Sequence, residues 1–113
     1  MRARTLTRMR KIECVIQSHK LHELQQALRT EGIGGMTVTE VKGFGNEQAR
    51  PQNFMFLPKT KVEIYAREAE VAPVVSTIER ICKSGTVGDG KIVVLPMMEV
   101  VRIRTGQRGE EAI

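Results

Sequence analysis

The chain repeats one order of elements, a strand, a helix and a second strand, on either side of a long connection. In the first half, residues 11–17 and 36–42 alternate apolar and polar side chains, which is the period of a half-buried strand. Between them, leucines and an alanine recur at helical spacing, with Ser18 expected as the N-cap and Gly32 at the C-terminal end. The connection to the second half spans residues 43–58.

The second half repeats the pattern. Residues 59–66 alternate as a strand, residues 71–82 carry an apolar helical stripe that Gly85 is expected to end, and residues 91–95 and 98–105 are predicted to be strands. Two such units close most simply as an α+β fold, a ferredoxin-like βαββαβ sandwich with both helices on one face of an antiparallel four-stranded sheet. Its other face would be uncovered, which favours a homotrimer of sheets packed around an axis.

Charge is distributed unevenly in this chain of 113 residues. Residues 1–10 contribute four arginines and no acid, so most of the formal charge of +5 lies in this basic N-terminal extension, which we expect to be flexible. The extension could bind nucleic acid, although a solvated tail is the simpler interpretation. No apolar run suggests a signal peptide or membrane insertion. Cys14 and Cys82 lie in apolar stretches, as reduced core residues of a cytoplasmic protein do.

Two features of the sequence could bind phosphate, a glycine-rich loop and a pair of arginines. Residues 85–91 (GTVGDGK) have the spacing of an NTPase P-loop, but Ile92 replaces the magnesium-binding Ser or Thr and the loop leaves a helix instead of a strand. Its glycines and lysine could still bind an anion, or could form only a tight turn. Arg102 and Arg104 lie two apart on a predicted strand and would share a face, where they could bind polyphosphate or pair with exposed glutamates.

Catalytic and metal-binding patterns are absent from the sequence. No Ser-His-Asp or Cys-His arrangement is present, and the carboxylates are scattered, so we do not expect an enzyme. His19 and His22 lie three apart without a third ligand, which is more typical of a solvated helix face than of a metal site.

Four motifs together resemble the signatures of the PII signal-transduction proteins. In chain order they are residues 35–45 (GMTVTEVKGFG), 57–63 (LPKTKVE), 88–91 (GDGK) and 101–106 (VRIRTG), with a matching end at residues 111–113 (EAI). The resemblance covers residues 11–113 as one PII-like domain. By position, its T-loop spans about residues 46–55, its B-loop about 85–91 and its C-terminal segment about 102–113.

The resemblance implies a cytoplasmic, non-catalytic homotrimer whose clefts between subunits bind ATP, ADP or AMP and whose T-loop docks on a transporter or an enzyme. It requires no cofactor, although some relatives hydrolyse ATP slowly. Phosphates would be held by Gly88, Asp89, Gly90 and Lys91 of one subunit and by Arg102 and Arg104 of its neighbour. The other implied nucleotide-binding residues are Val15, Thr37, Gly45, Asn46, Glu63 and Tyr65. The implied effector-binding residues are Lys59, Glu47 and Gln48.

This chain departs from the family pattern in its T-loop, which is shorter than usual. Asn46 stands where the family commonly has Arg, Glu47 where a magnesium- and effector-binding Gln is usual, and the modified tyrosine is missing. Gln17 and Ser18 replace the usual Lys-Pro. These departures suggest the carboxysome-associated branch and bicarbonate as effector. The alternative is a nitrogen-status regulator that responds to ATP and 2-oxoglutarate, and the need for Mg²⁺ with ATP stays open.

Overall fold

The computed structural model describes residues 7–43 and 57–113. In this part of the chain, four strands form one sheet and two α-helices pack against it. The strands are β1 (Met9–Ile16), β2 (Thr37–Gly43), β3 (Leu57–Arg67) and β4 (Lys91–Pro96), and the helices are α1 (Leu21–Thr30) and α2 (Glu68–Cys82). Short 3-10 helices occupy Ser18–Lys20 and Gly109–Ala112.

The sheet has the strand order β2-β3-β1-β4, and every neighbouring pair is antiparallel. In each strand–helix–strand unit, the two strands are separated by one strand of the other unit: β3 lies between β1 and β2, and β1 lies between β3 and β4. This interleaving is that of a ferredoxin-like fold. The fold predicted from the repeated pattern is confirmed. Strands β2 and β4 are the two edges of the sheet, and this arrangement decides where the functional residues lie.

Alternation on the two central strands separates the sheet into a covered and an open face. On β1, Ile12, Cys14 and Ile16 are buried against the helices, and the side chains between them point to the other face. The core is completed by Val62, Ile64 and Ala66 of β3, Leu24 and Leu28 of α1, and Val74, Ile78, Ile81 and Cys82 of α2. The open face is polar at its centre and carries the half-exposed Tyr65.

Residues 98–105 are not a strand, contrary to the sequence prediction. Val101 forms a single bridge to Arg108, and between them the chain reverses through a turn. The Arg102 amide donates to the Gln107 carbonyl (2.9 Å), and Gly106 takes the positive φ (+72°) that the reversal needs. Because a strand exists only where its backbone pairs, the alternating pattern alone could not form one here.

The caps of α1 agree with the prediction at one end only. Gly32 adopts φ +88°, and the Ile33 amide donates to the Leu28 carbonyl (3.0 Å), as in a Schellman motif. Ser18 does not cap α1, because it lies in the 3-10 helix that precedes it, where its hydroxyl accepts a hydrogen bond from Thr60 (2.8 Å). Within residues 7–43 and 57–113, neither helix is long and apolar enough to cross a bilayer.

Candidate functional site

The loop that follows α2, here called the glycine loop (residues 84–90), is organised around Asp89. The Asp89 carboxylate accepts hydrogen bonds from the Ser84 amide (2.7 Å), the Gly85 amide (2.9 Å) and the Ser84 hydroxyl. These hydrogen bonds lower the pKa of Asp89, and the bonds from Ser84 contribute most. The carboxylate is therefore charged at neutral pH, and its hydrogen bonds to Ser84 and Gly85 hold the loop in shape.

Three contacts fix the glycine loop to the end of the sheet. Lys91, at the start of β4, pairs with Val15 on β1, and Gly90 passes directly over the Val15 carbonyl with φ +94°. From β3, the Lys59 ammonium donates to the Gly88 carbonyl at 3.0 Å. Five residues implied by the family resemblance thus lie together at this end of the sheet: Val15, Lys59, Gly88, Gly90 and Lys91.

A second group surrounds a cavity of about 510 Å³ on the β2 side of the sheet. Thr37 and Glu63, which are directly opposite each other in the β2–β3 register, line it together with Tyr65 and Arg102. The segment 32–36 also lines it, and sequence reasoning did not assign that role. The paired glycines of this segment (GIGGM) were the available signal, since backbone without side chains lets a flat ring approach.

The two arginines of the C-terminal segment differ in position. The Arg102 guanidinium donates to the Ile113 carbonyl oxygen (3.2 Å) and to the Gln107 side-chain oxygen (3.3 Å), and it lines the cavity while partly buried. Arg104 is exposed and is not among the residues that line that cavity. The expectation that a strand presents both on one face is wrong, because this segment is a turn.

A square of four charged side chains lies on the open face between the two groups. Lys11 is 2.7 Å from Glu63 and 3.2 Å from Glu13, and Lys61 is 3.5 Å from Glu13 and 3.7 Å from Glu63. Hydrogen bonding to Glu63, and then to Glu13, raises the pKa of Lys11, and the same bond to Lys11 lowers the pKa of Glu63. Glu63 therefore enters the candidate site as a carboxylate whose charge is already balanced.

The two groups lie at opposite edges of the sheet. Thr37 belongs to the edge strand β2 and Lys91 to the edge strand β4, with β3 and β1 between them. Three strand spacings separate these edges by about 14 Å. The two groups, here called half-sites, are thus separate in one chain: one is a cavity lined partly by backbone, and the other is a loop of glycines followed by a lysine.

Four implied residues, Gly45, Asn46, Glu47 and Gln48, lie outside the described residues. In the part of the chain that is described, no cluster of three or more His, Cys, Asp and Glu side chains could hold a metal ion.

Comparison with known proteins gives consistent matches. The family model "Nitrogen regulatory protein P-II" matches residues 9–107. The nitrogen regulatory protein P-II of Azospirillum brasilense and P-II 1 of Escherichia coli K12 are each 43% identical over 112 residues, covering 93% of this chain and the whole of each relative. The crystal structure of Arabidopsis thaliana PII bound to citrate has a TM-score of 0.82 at 37% identity, over 95% of this chain and 94% of that one.

The matched lengths also differ. Each of these curated relatives is aligned over its full 112 residues, whereas the match takes in only 93% of this 113-residue chain. The chain is thus several residues shorter than these relatives over the matched region.

Proposed function

Because the chain belongs to the nitrogen regulatory protein P-II family, we propose that it senses adenine nucleotides in the clefts between the subunits of a homotrimer. Proteins of this family are non-catalytic regulators that act as trimers and bind target proteins and small effectors. In this chain, the bound nucleotide would shift the population of T-loop conformations over residues 46–55, and the loop would dock on a target protein, a transporter or an enzyme.

The observation that carries this proposal is the separation of the two half-sites onto opposite edges of one sheet. A three-fold rotation brings unlike edges of neighbouring chains together, so the β4 edge of one chain can face the β2 edge of the next. The glycine loop and Lys91 would then complete the cavity lined by Thr37, Tyr65 and Arg102 of the neighbour. The cavity suits the purine, and the loop suits the phosphates.

The glycine loop has the chemistry that phosphate needs. Gly88 and Gly90 adopt φ +104° and +94°, left-handed backbone conformations of the kind that occur in anion-binding nests. Lys91 is exposed beside them and adds a flexible side chain with three hydrogen-bond donors. Arg102 of the neighbour would add a planar donor pair. A phosphate would give this guanidinium a charged acceptor in place of the neutral Gln107 side-chain oxygen, which it contacts at 3.3 Å.

Mixed trimers test whether each cleft draws on two chains. Lys91→Ala and Arg102→Ala homotrimers should each lose ADP affinity by about ten- to a hundredfold, since each loses a charge-assisted contact. When the two variants are unfolded together and refolded in equal amounts, every mixed trimer contains one cleft with both residues intact. About one cleft in four should then bind ADP with wild-type affinity, as random assembly around a three-fold axis requires.

Calorimetry would measure the fraction of high-affinity sites. Lys83→Ala is the matched control. Lys83 is an exposed lysine directly after α2, and its replacement should leave ADP affinity unchanged. If both single variants lose affinity but mixing restores no high-affinity site, the two half-sites act within one chain and the proposed cleft is wrong. Unchanged affinity in Lys91→Ala would reject the phosphate role of the loop.

For the effector, we propose bicarbonate over 2-oxoglutarate on the basis of Glu47. A carboxylate where an amide is usual would repel a dianionic keto acid by about 4 kcal/mol at 4 Å and an intermediate dielectric, partly offset by a bound metal. A singly charged anion suffers less, and a short loop can still enclose it beside Lys59. Titration of ADP and ATP with bicarbonate or with chloride, at fixed pH and ionic strength, should show a shift in affinity with bicarbonate only.

Binding of 2-oxoglutarate would give the opposite conclusion about the effector. Tight binding of 2-oxoglutarate that depends on magnesium and ATP would make the chain a nitrogen-status regulator of the kind that the names of its relatives indicate. The argument from Glu47 would then be wrong, while the adenine-nucleotide proposal would stand.

A further inference from the structure

We propose that Gln17 is a positioning residue for the glycine loop: its side-chain amide braces Asp89 from the end of β1 and holds the loop in the shape that receives phosphate. This inference rests on the proposed nucleotide binding. It adds a residue that lies 72 positions away from the loop in sequence and would not itself touch the ligand.

The brace is one hydrogen bond between side chains. The Gln17 amide nitrogen donates to one oxygen of Asp89 at 3.2 Å. The other oxygen of Asp89 accepts from the Ser84 and Gly85 amides. The bonds to Ser84 and Gly85 are local and set the shape of the loop, whereas the bond from Gln17 connects this shape to the sheet.

Gln17 is well placed to act as a fixed support. It follows directly on the buried Ile16 at the end of β1, and it is itself only partly exposed. The next residue, Ser18, is held to β3 by the hydrogen bond from Thr60 at 2.8 Å. The backbone of Gln17 is thus anchored on both sides, so little additional conformational freedom is lost when its side chain is held in the brace.

Other contacts do not replace this one. Lys59 holds the loop at Gly88, and the close approach of Gly90 to Val15 holds it at the start of β4. Asp89 lies between these two contact points, and in the described residues its carboxylate connects to the rest of the chain through Gln17 alone. A loop that is already fixed loses less conformational freedom when phosphate binds, so removal of the brace should weaken phosphate-dependent binding specifically.

A matched set of variants tests the brace without changing the charge of Asp89. Gln17→Met keeps the length of the side chain but removes the donor, Gln17→Lys keeps a donor, and Gln25→Met makes the same change on the exposed face of α1. Hydrogen–deuterium exchange of the loop amides is measured without nucleotide, and the affinities for ADP and adenosine are measured by calorimetry.

We expect Gln17→Met to speed exchange at residues 84–90 and to lower ADP affinity about three- to tenfold, with adenosine affinity unchanged. This loss is smaller than that of a hydrogen bond made directly to the ligand, because Gln17 acts through the loop. Gln17→Lys should restore slow exchange, and Gln25→Met should match the wild type. Unaltered exchange in Gln17→Met would overturn the brace, as would an equal loss for ADP and adenosine. If the wild type binds no adenine nucleotide, the proposed function fails, and the exchange measurement still decides the brace.

Discussion

Gly90 has no room for a side chain because the backbone of Val15 occupies the space. A Cβ built on Gly90 would lie 1.7 Å from the Val15 carbonyl oxygen and 2.9 Å from its carbonyl carbon, and Gly90 also adopts φ +94°. Contact with a backbone atom in a central strand cannot be relieved by a rotamer change. The glycine loop therefore approaches β1 so closely at Gly90 that only a glycine fits there.

Gly90→Ala should shift the glycine loop away from β1 and lower ADP affinity by more than about tenfold, because Lys91 is the next residue and moves with it. Gly85→Ala is the matched control, since Gly85 also has a positive φ (+83°) but nothing within 4 Å of the position that an alanine methyl group would take. Both variants carry the backbone strain of about 1–2 kcal/mol, and only Gly90→Ala adds the clash. Equal affinities for ADP in the two variants would contradict this account.

The charged square on the open face should stabilise the fold over a defined pH range. The pKa of Glu63 is lowered, so its contribution is present above its unfolded value of about 4.3 and is lost as the pH falls through the folded value. The pKa of Lys11 is raised, so its contribution is present below about 10.4 and is lost as the pH rises through the folded value.

A double-mutant cycle with Lys11→Met and Glu63→Gln should therefore show favourable coupling at pH 7 that weakens progressively as the pH falls below about 4.3. Urea unfolding at one protein concentration measures this coupling. The exposed pair Glu99–Arg108, at 3.6 Å, is the control and should couple weakly throughout this pH range. Coupling between Lys11 and Glu63 that does not weaken as the pH falls would show that packing, not charge, connects them.

Both thiols should be inert in the folded protein. Burial raises the pKa of Cys14 to about 12 and also raises that of Cys82, so at neutral pH almost no thiolate is present and reagent cannot reach it. A thiol reagent such as DTNB should modify neither cysteine until urea is added, and then both. Ser76→Cys, on the exposed face of α2, provides a reactive control. Rapid modification of Cys14 in native protein would refute the prediction.

The connection between β2 and β3 should carry no phosphoryl or uridylyl group in cells. Residues 43–57 contain no Tyr, Ser or Thr, and the single tyrosine, Tyr65, lies within β3 on the open face of the sheet. Mass spectrometry of protein purified under nitrogen limitation and under carbon limitation should give one unmodified mass for this peptide. A mass increase of a phosphoryl or nucleotidyl group on residues 43–57 would contradict it.

Sequence patterns were most informative where one side of an element is buried. Strands β1 and β3 alternate because they have helices on one face and solvent or a neighbour on the other, and the glycine after α1 was predicted because a left-handed residue ends the helix. Residues 101–105 alternate as well, yet this segment forms a turn, because alternation says which way side chains point and not whether a neighbouring backbone is available.

The residue types of the candidate site can be chosen from the sequence, but their arrangement cannot. Glycines followed by a lysine suggest either a phosphate-binding loop or only a tight turn. The division of Thr37 and Lys91 between opposite edges follows from strand order, which no local pattern contains. The hydrogen bond from Gln17 to Asp89 joins two polar residues that are 72 positions apart. No periodic pattern in the sequence indicates that they pair.

In the proposed trimer, the placement of the half-sites on β2 and β4 would make ligand binding and assembly one equilibrium. On the proposed arrangement, a dissociated chain has no complete cleft and does not respond to nucleotide, whereas each bound nucleotide holds two chains together. Ligand at about 100 times its Kd would add about 2.7 kcal/mol per occupied cleft to the stability of the ring. The trimer would therefore dissociate less on dilution when the nucleotide concentration is higher. At low protein concentration in a cell, more nucleotide would be needed to keep the clefts assembled and able to respond.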